Sequence, residues 1–129
     1  MNDTCVRTFK DLKVWQKALD LSVEIYRFSG EFPKHELYGL SSELRKTSRS
    51  IVYNIAEGHK RGSTVEYIRF LRISAGSAAE LESQILLADR LGYVRENTGQ
   101  RIHNMLAEIE RMLDSLIRSL NSRLSASKS

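Results

Sequence analysis

Apolar residues recur along this chain at helical spacing, and no stretch alternates as a strand would. The third helical segment, Ser63 to Leu91, is the most informative. One of its stripes is Tyr67, Leu71, Ser74, Ala78, Leu81 and Ile85; a second, displaced around the helix, is Ile68, Ala75, Ala79 and Leu86. Phe70 and Ile73 lie off both. A helix that buries one face of a small bundle needs one apolar stripe of roughly 100°. The surplus predicts cover by something else, and a second copy of the chain is the simplest cover. Phe70 and Ile73 are the expected contact residues of such a homo-oligomer.

The remaining punctuation predicts three more helices. The first runs from about Asp11 to Ser29, with Asp11 as its N-terminal cap and Gly30 as a left-handed stop. Its apolar positions form two adjacent stripes: Leu12, Trp15, Leu19, Tyr26, and Val14, Ala18, Leu21, Ile25, Phe28. The segment around Pro33 interrupts the pattern. The second helix runs from about His35 to His59, with Leu37, Leu40, Leu44, Ile51 and Ile55 inward, and Gly58 and Gly62 close it. Ser63-Thr64-Val65-Glu66 reads as a capping box that starts the third, and Leu91-Gly92 ends it. The fourth starts near Thr98 along the seam Ile102, Leu106, Ile109, Leu113, Leu116, Leu120. Short links make consecutive helices antiparallel neighbours, so the expected fold is all-α, an up-down-up-down four-helix bundle. One domain over 9–122 is expected, with 1–8 and 123–129 as flexible termini. The run Ser74-Ala75-Gly76-Ser77-Ala78-Ala79 permits close helix approach, either inside one chain or between subunits.

Composition narrows the class. The chain has 129 residues, 41% hydrophobic and 28% charged, which suits one helical domain. No apolar run approaches the ~20 residues that span a bilayer, and no secretory signal is evident, so no membrane partner is expected. Cys5 is the single cysteine. No internal disulfide can form, a cytoplasmic location is expected, and Cys5 reads as a spectator rather than a reactive thiol.

Three matches carry a resemblance. They are Phe9-Lys10-Asp11-Leu12-Lys13-Val14-Trp15-Gln16-Lys17-Ala18, Ser50-Ile51-Val52-Tyr53-Asn54-Ile55-Ala56-Glu57-Gly58, and Arg69-Phe70-Leu71-Arg72-Ile73-Ser74-Ala75-Gly76-Ser77 followed by Glu80-Leu81-Glu82-Ser83-Gln84. In these the chain resembles the four-helix bundle family encoded by intervening sequences in bacterial 23S ribosomal RNA genes. Ser74 departs from the alanine usual there. The chain is more distantly similar to the accessory variability proteins of diversity-generating retroelements, homopentamers that bind a reverse transcriptase and nucleic acid. The resemblance implies a cytoplasmic bacterial bundle, a homopentamer, and no established activity.

Catalytic chemistry finds little support. No Glu precedes His35, His59 or His103 by three residues, as a bundle di-iron site requires, and one cysteine with scattered histidines is no zinc set. No phosphate-binding glycine loop is present. Glu57 and His59 straddle Gly58 and read as a helix-end partner and a solvated terminus. Glu80 and Glu82 point to different faces, with Glu80 expected in a buried or interfacial ion pair. Trp15 reads as a core or interface anchor. A non-enzyme without metal or cofactor is expected.

Charge supplies the remaining signal. The net charge is +4, yet between Arg45 and Arg72 seven basic residues face only Glu57 and Glu66. The helical wheel sets Arg45, Arg49, Tyr53 and Lys60 opposite the second helix's apolar stripe, and Arg69 and Arg72 opposite the third's. A turn near Arg61 brings Arg49 and Arg72 to similar height. Arg45, Arg49, Tyr53, Lys60, Arg61, Arg69 and Arg72 thus form a candidate RNA- or DNA-binding patch. The expected function is non-catalytic binding of nucleic acid by an oligomer. The alternative is a scaffold or accessory subunit whose partner is a reverse transcriptase or another protein.

Overall fold

The computed structural model describes residues 6–127. Among these, four α-helices form and no strand: α1 (Lys13–Gly30), α2 (Leu40–Lys60), α3 (Thr64–Arg90) and α4 (Glu96–Ser127). Single 3-10 turns, Phe9–Asp11 and Lys34–Glu36, precede α1 and α2. Cys5 lies outside the described residues.

Each helix packs on its chain neighbours, and α4 closes the ring against α1. Polar contacts give the direction. Along the α1–α2 seam Ser22 meets Ser48, and Ser29 meets Ser41, so one number falls as the other rises. The α1–α4 pairs Lys17–Glu108 and Glu24–Arg101 run the same way. Consecutive helices are therefore antiparallel, as the short links require.

The core is a column of aliphatic side chains from all four helices. Leu21, Ile25, Leu44, Ile51, Ile55, Leu71, Leu81, Ile85, Ile102 and Leu113 are fully buried. The sequence stripes supply these positions, with some exchanges. Leu37 is 46% exposed, because the Lys34–Glu36 turn delays α2 until Leu40. Ile117 rather than Leu116 takes the deep position of the fourth seam. Of the two stripes on α1, Val14–Phe28 is buried, while Leu19 and Tyr26 of the other remain exposed.

Helix ends follow local chemistry. Ser63 Oγ accepts from Glu66 N at the start of α3, and Gly62 and Gly92 hold the left-handed turns on either side of it. Gly30 instead stays inside α1, with no positive φ. Asp11 caps backward: its carboxylate accepts from the N–H groups of Arg7 and Thr8 across the first 3-10 turn, which holds its pKa below the usual carboxylate value. Helix α4 continues through 123–127, where a flexible terminus is expected. Leu120 and Leu124 extend its apolar seam, so the polar residues among them ride on a helix that is still packing.

The α2–α3 pair is the most intimate. Ser74, fully buried, donates to the Ile51 carbonyl at 2.8 Å, and Ser50 and Ser77 share a hydrogen bond of the same length. A methyl group placed on Gly58 would lie 2.7 Å from Phe70 Cβ. The small-residue run divides between two roles: Ser74, Ser77 and Ala78 face inward, whereas Gly76 and Ala79 face out.

Candidate functional site

The antiparallel α2–α3 hairpin, in the register of the Ser50–Ser77 and Ser74–Ile51 bonds, sets Arg72 about level with Asn54, roughly 7 Å along the axis from Arg49 at 1.5 Å per residue rather than at the expected similar height. It sets them on different sides. Arg49 reaches α1, where its guanidinium donates to the Tyr26 hydroxyl at 2.6 Å. Arg72 lines a surface depression with Ala75 of α3 and Asp114, Ile117 and Arg118 of α4. The seven predicted residues therefore fall into three groups rather than one patch.

The first group lies along α2 beside α1. Arg45 is half-buried and donates to Ser29 Oγ at 2.9 Å and to the Tyr26 carbonyl at 3.1 Å. Its guanidinium also lies 5.0 Å from the Tyr26 ring centre. A cation close to the C-terminal turn of α1 complements the helix dipole. Arg45 thus ties α2 to α1. One turn on is Arg49, and another turn on is Tyr53, 62% exposed. Lys60 is exposed at the far end, about 16 Å along the axis from Arg49 at 1.5 Å per residue. Arg45, Arg49 and Lys60 form no ion pair among the described residues.

The second group is the Arg61–Arg69 pair at the α2–α3 turn. Glu66 takes Arg69 in a two-toothed pair, both contacts at 3.1 Å, and holds Arg61 at 3.8 Å. Glu57 takes Arg61 at 2.9 Å. The Arg69 bonds hold the Glu66 carboxyl below its ordinary pKa. Both guanidiniums cover the Phe70 ring, at 4.8 and 4.5 Å from its centre. Phe70 is accordingly only 9% exposed, wedged against Gly58 beneath two arginines, while Ile73 is 41% exposed. The third group is Arg72 alone.

Other candidates resolve into packing. Glu57 is the ion partner of Arg61, and His59 stacks edgewise on Tyr67 rather than standing in solvent. Glu80 is exposed and makes no ion pair among the described residues, so it does not form the buried pair that is one of its two expected roles. Glu82 faces Glu110 of α4, whose carboxyl is pushed up by burial and then by Glu82 and Asp114. Trp15 packs on the core edge and meets Phe9 edge-on at 5.2 Å. No group of three or more His, Cys, Asp or Glu among the described residues could hold a metal ion. No helix among them is long and apolar enough to cross a membrane.

One surface escaped the sequence reading. Leu19, Val23 and Tyr26 of α1 are 41%, 45% and 40% exposed. With Val52, Tyr53 and Arg49 of α2 they line an open groove of about 320 Å³. Its signal was the second stripe on the first helix, which made the apolar arc wider than one buried face.

A sequence model of the 23S rRNA-intervening sequence protein matches residues 10–115. The chain belongs to this family. A solved structure agrees: a protein of unknown function from the S23 ribosomal protein family of Bacteroides thetaiotaomicron VPI-5482, determined at 1.70 Å resolution. It is 26% identical, superposes with a TM-score of 0.76, and the match covers 81% of this chain and 95% of that one. No curated protein matches. The family membership agrees with the resemblance read from the three motifs, and the shared fold is the four-helix bundle described above.

Proposed function

We propose that this member of the 23S rRNA-intervening sequence protein family is a non-catalytic, oligomeric bundle that binds nucleic acid in the cytoplasm through α2. The observation that carries this reading is the set of Arg49 and Lys60 on one helix, without carboxylate partners among the described residues, flanking an exposed Tyr53. Cations not neutralised within the chain are the ones that can displace counterions from phosphate. Arg61 and Arg69, already held by Glu57 and Glu66, contribute less, and Arg45 is engaged with α1. The family's encoding within ribosomal RNA genes, implied by its name, agrees with a nucleic-acid partner.

Assembly strengthens a sparse patch, since several copies around an axis multiply its field. The outer face of α3, with Ile73 and Leu87 exposed beside Gly76 and Ala79, supports self-association. The pentamer is the expected size, from the resemblance to the accessory variability proteins. The test compares wild type with Arg49→Glu/Lys60→Glu for RNA affinity at two salt concentrations. Wild-type affinity should fall steeply with salt, and the variant should bind far more weakly with unchanged helicity. Equal affinities would reject the patch. The second reading is a protein-binding scaffold or accessory subunit, and the α1–α2 groove favours it.

A further inference from the structure

We infer that the α1–α2 groove is a docking site for an amphipathic helix of a partner protein, one that flanks its apolar stripe with carboxylates. Geometry supplies the first argument. Leu19, Val23 and Tyr26 stand at i, i+4 and i+7, the spacing at which one helix presents a continuous ridge to another. Val52 and Tyr53 form the opposite wall. An apolar furrow between two antiparallel helices is the shape that receives a third helix's side chains. At about 320 Å³ and open to solvent, the groove is at the floor of the range for enclosed small-molecule pockets. It suits two or three side chains instead.

Charge supplies the second argument. The ionisable side chains lining the groove are basic apart from its two tyrosines: Arg49, bonded to the Tyr26 hydroxyl, and Arg27. Arg27 shares the one carboxylate of Glu24 with Arg101, which holds that carboxylate more closely, 2.8 Å against 3.2 Å. Two guanidiniums therefore share one negative charge beside the groove, and Arg49 has no carboxylate partner among the described residues. An apolar floor with a cationic rim selects carboxylates beside an apolar stripe. Phosphodiester backbones would meet the cations but leave Leu19 and Val23 uncovered, so the exposed aliphatic lining disfavours a nucleic-acid occupant. The inference goes beyond the nucleic-acid reading and does not need it; the two share Arg49 and Tyr53, which line the groove, while Lys60 lies outside it.

The probes are two fluorescein-labelled peptides of about 15 residues, long enough for helix on contact. Each carries leucines at i, i+4 and i+7; one is flanked by glutamates and the other by lysines. The full-length protein should bind the acidic peptide at least about tenfold more tightly than the basic one. Val23→Glu should abolish that binding, and the milder Val23→Ser should weaken it, with helicity unchanged in both. Arg49→Glu should reverse the preference between peptides. Equal binding of both peptides, or acidic-peptide binding indifferent to Val23→Glu, overturns the inference. A smaller assembly in Val23→Glu by sedimentation would show that a second copy fills the groove. Loss of single-stranded RNA affinity in Val23→Glu, without peptide binding by wild type, would assign the groove to nucleic acid. Failure of the Arg49→Glu/Lys60→Glu test with intact peptide binding rejects only the nucleic-acid reading.

Discussion

The two sides of α2 differ in what they leave behind. Toward α3 the contact is made of Gly58, Ser74, Ser77 and Ala78, and their small side chains let the backbones close until Phe70 touches Gly58. Toward α1 the inner contact also closes on small residues, though less extensively, with Ser22 bonded to Ser48 at 2.9 Å. On its outer edge, however, Leu19, Val23 and Tyr53 stand above the seam with no further helix among the described residues to receive them. Small residues finish an interface; large apolar ones at its margin leave a furrow. The α2–α3 seam is therefore a place where the fold is fixed, and the α1–α2 margin a place where something can be added.

The comparison breaks first at the core side of the α2–α3 seam. Leu71→Ala removes a fully buried side chain and should cost about 2–5 kcal/mol, read by chemical denaturation. A loss below about 0.5 kcal/mol, the ordinary range for surface changes, would mean that the helices are not packed as described. Next is Gly58→Ala. The added methyl meets Phe70 Cβ and the Tyr67 carbonyl, 2.7 and 3.2 Å away, where the helix backbone cannot yield as a flexible side chain would. Overpacking of about 1–3 kcal/mol should exceed the gain in helix propensity from glycine to alanine. If Gly58→Ala stabilises the protein, the seam is looser than these distances state. The smallest effect belongs to the groove. Leu19→Ala should change stability by no more than about 0.5 kcal/mol, because the side chain is 41% exposed and both residues favour helix. A cost comparable to Leu71→Ala would show that the groove is already filled in the free protein.

Much of the fold was legible in the chain. The stripes of α3 and the seam of α4 give periodicity over several turns, and that signal needs no knowledge of neighbours. Ser63, Gly62 and Gly92 act through their own backbone and the residues beside them, so their roles follow locally. Asp11 and Gly30 misled for the same reason in reverse. Asp11 can cap the helix ahead of it or close a capping box with Thr8 behind it, and the structure uses the second, with the Arg7 and Thr8 N–H groups as donors. Gly30 permits a left-handed stop without compelling one.

The candidate site was legible only in part. The wheel correctly turned Arg49 and Tyr53 away from the buried Ile51–Ile55 stripe. It could not show that Arg49 leans onto Tyr26, that Arg72 faces α4, or that Glu66 holds both Arg61 and Arg69. A wheel gives the angle of a side chain about its own axis, but pairing depends on which helix occupies the adjacent corner of the bundle. The sequence by itself determined four amphipathic helices, their order and most of their core faces, because burial and capping are set by spacing along one helix. Only the tertiary structure decided which of two apolar stripes on α1 stays outside and which cations keep a free charge. Those outcomes depend on distances between helices, and no single helix contains them.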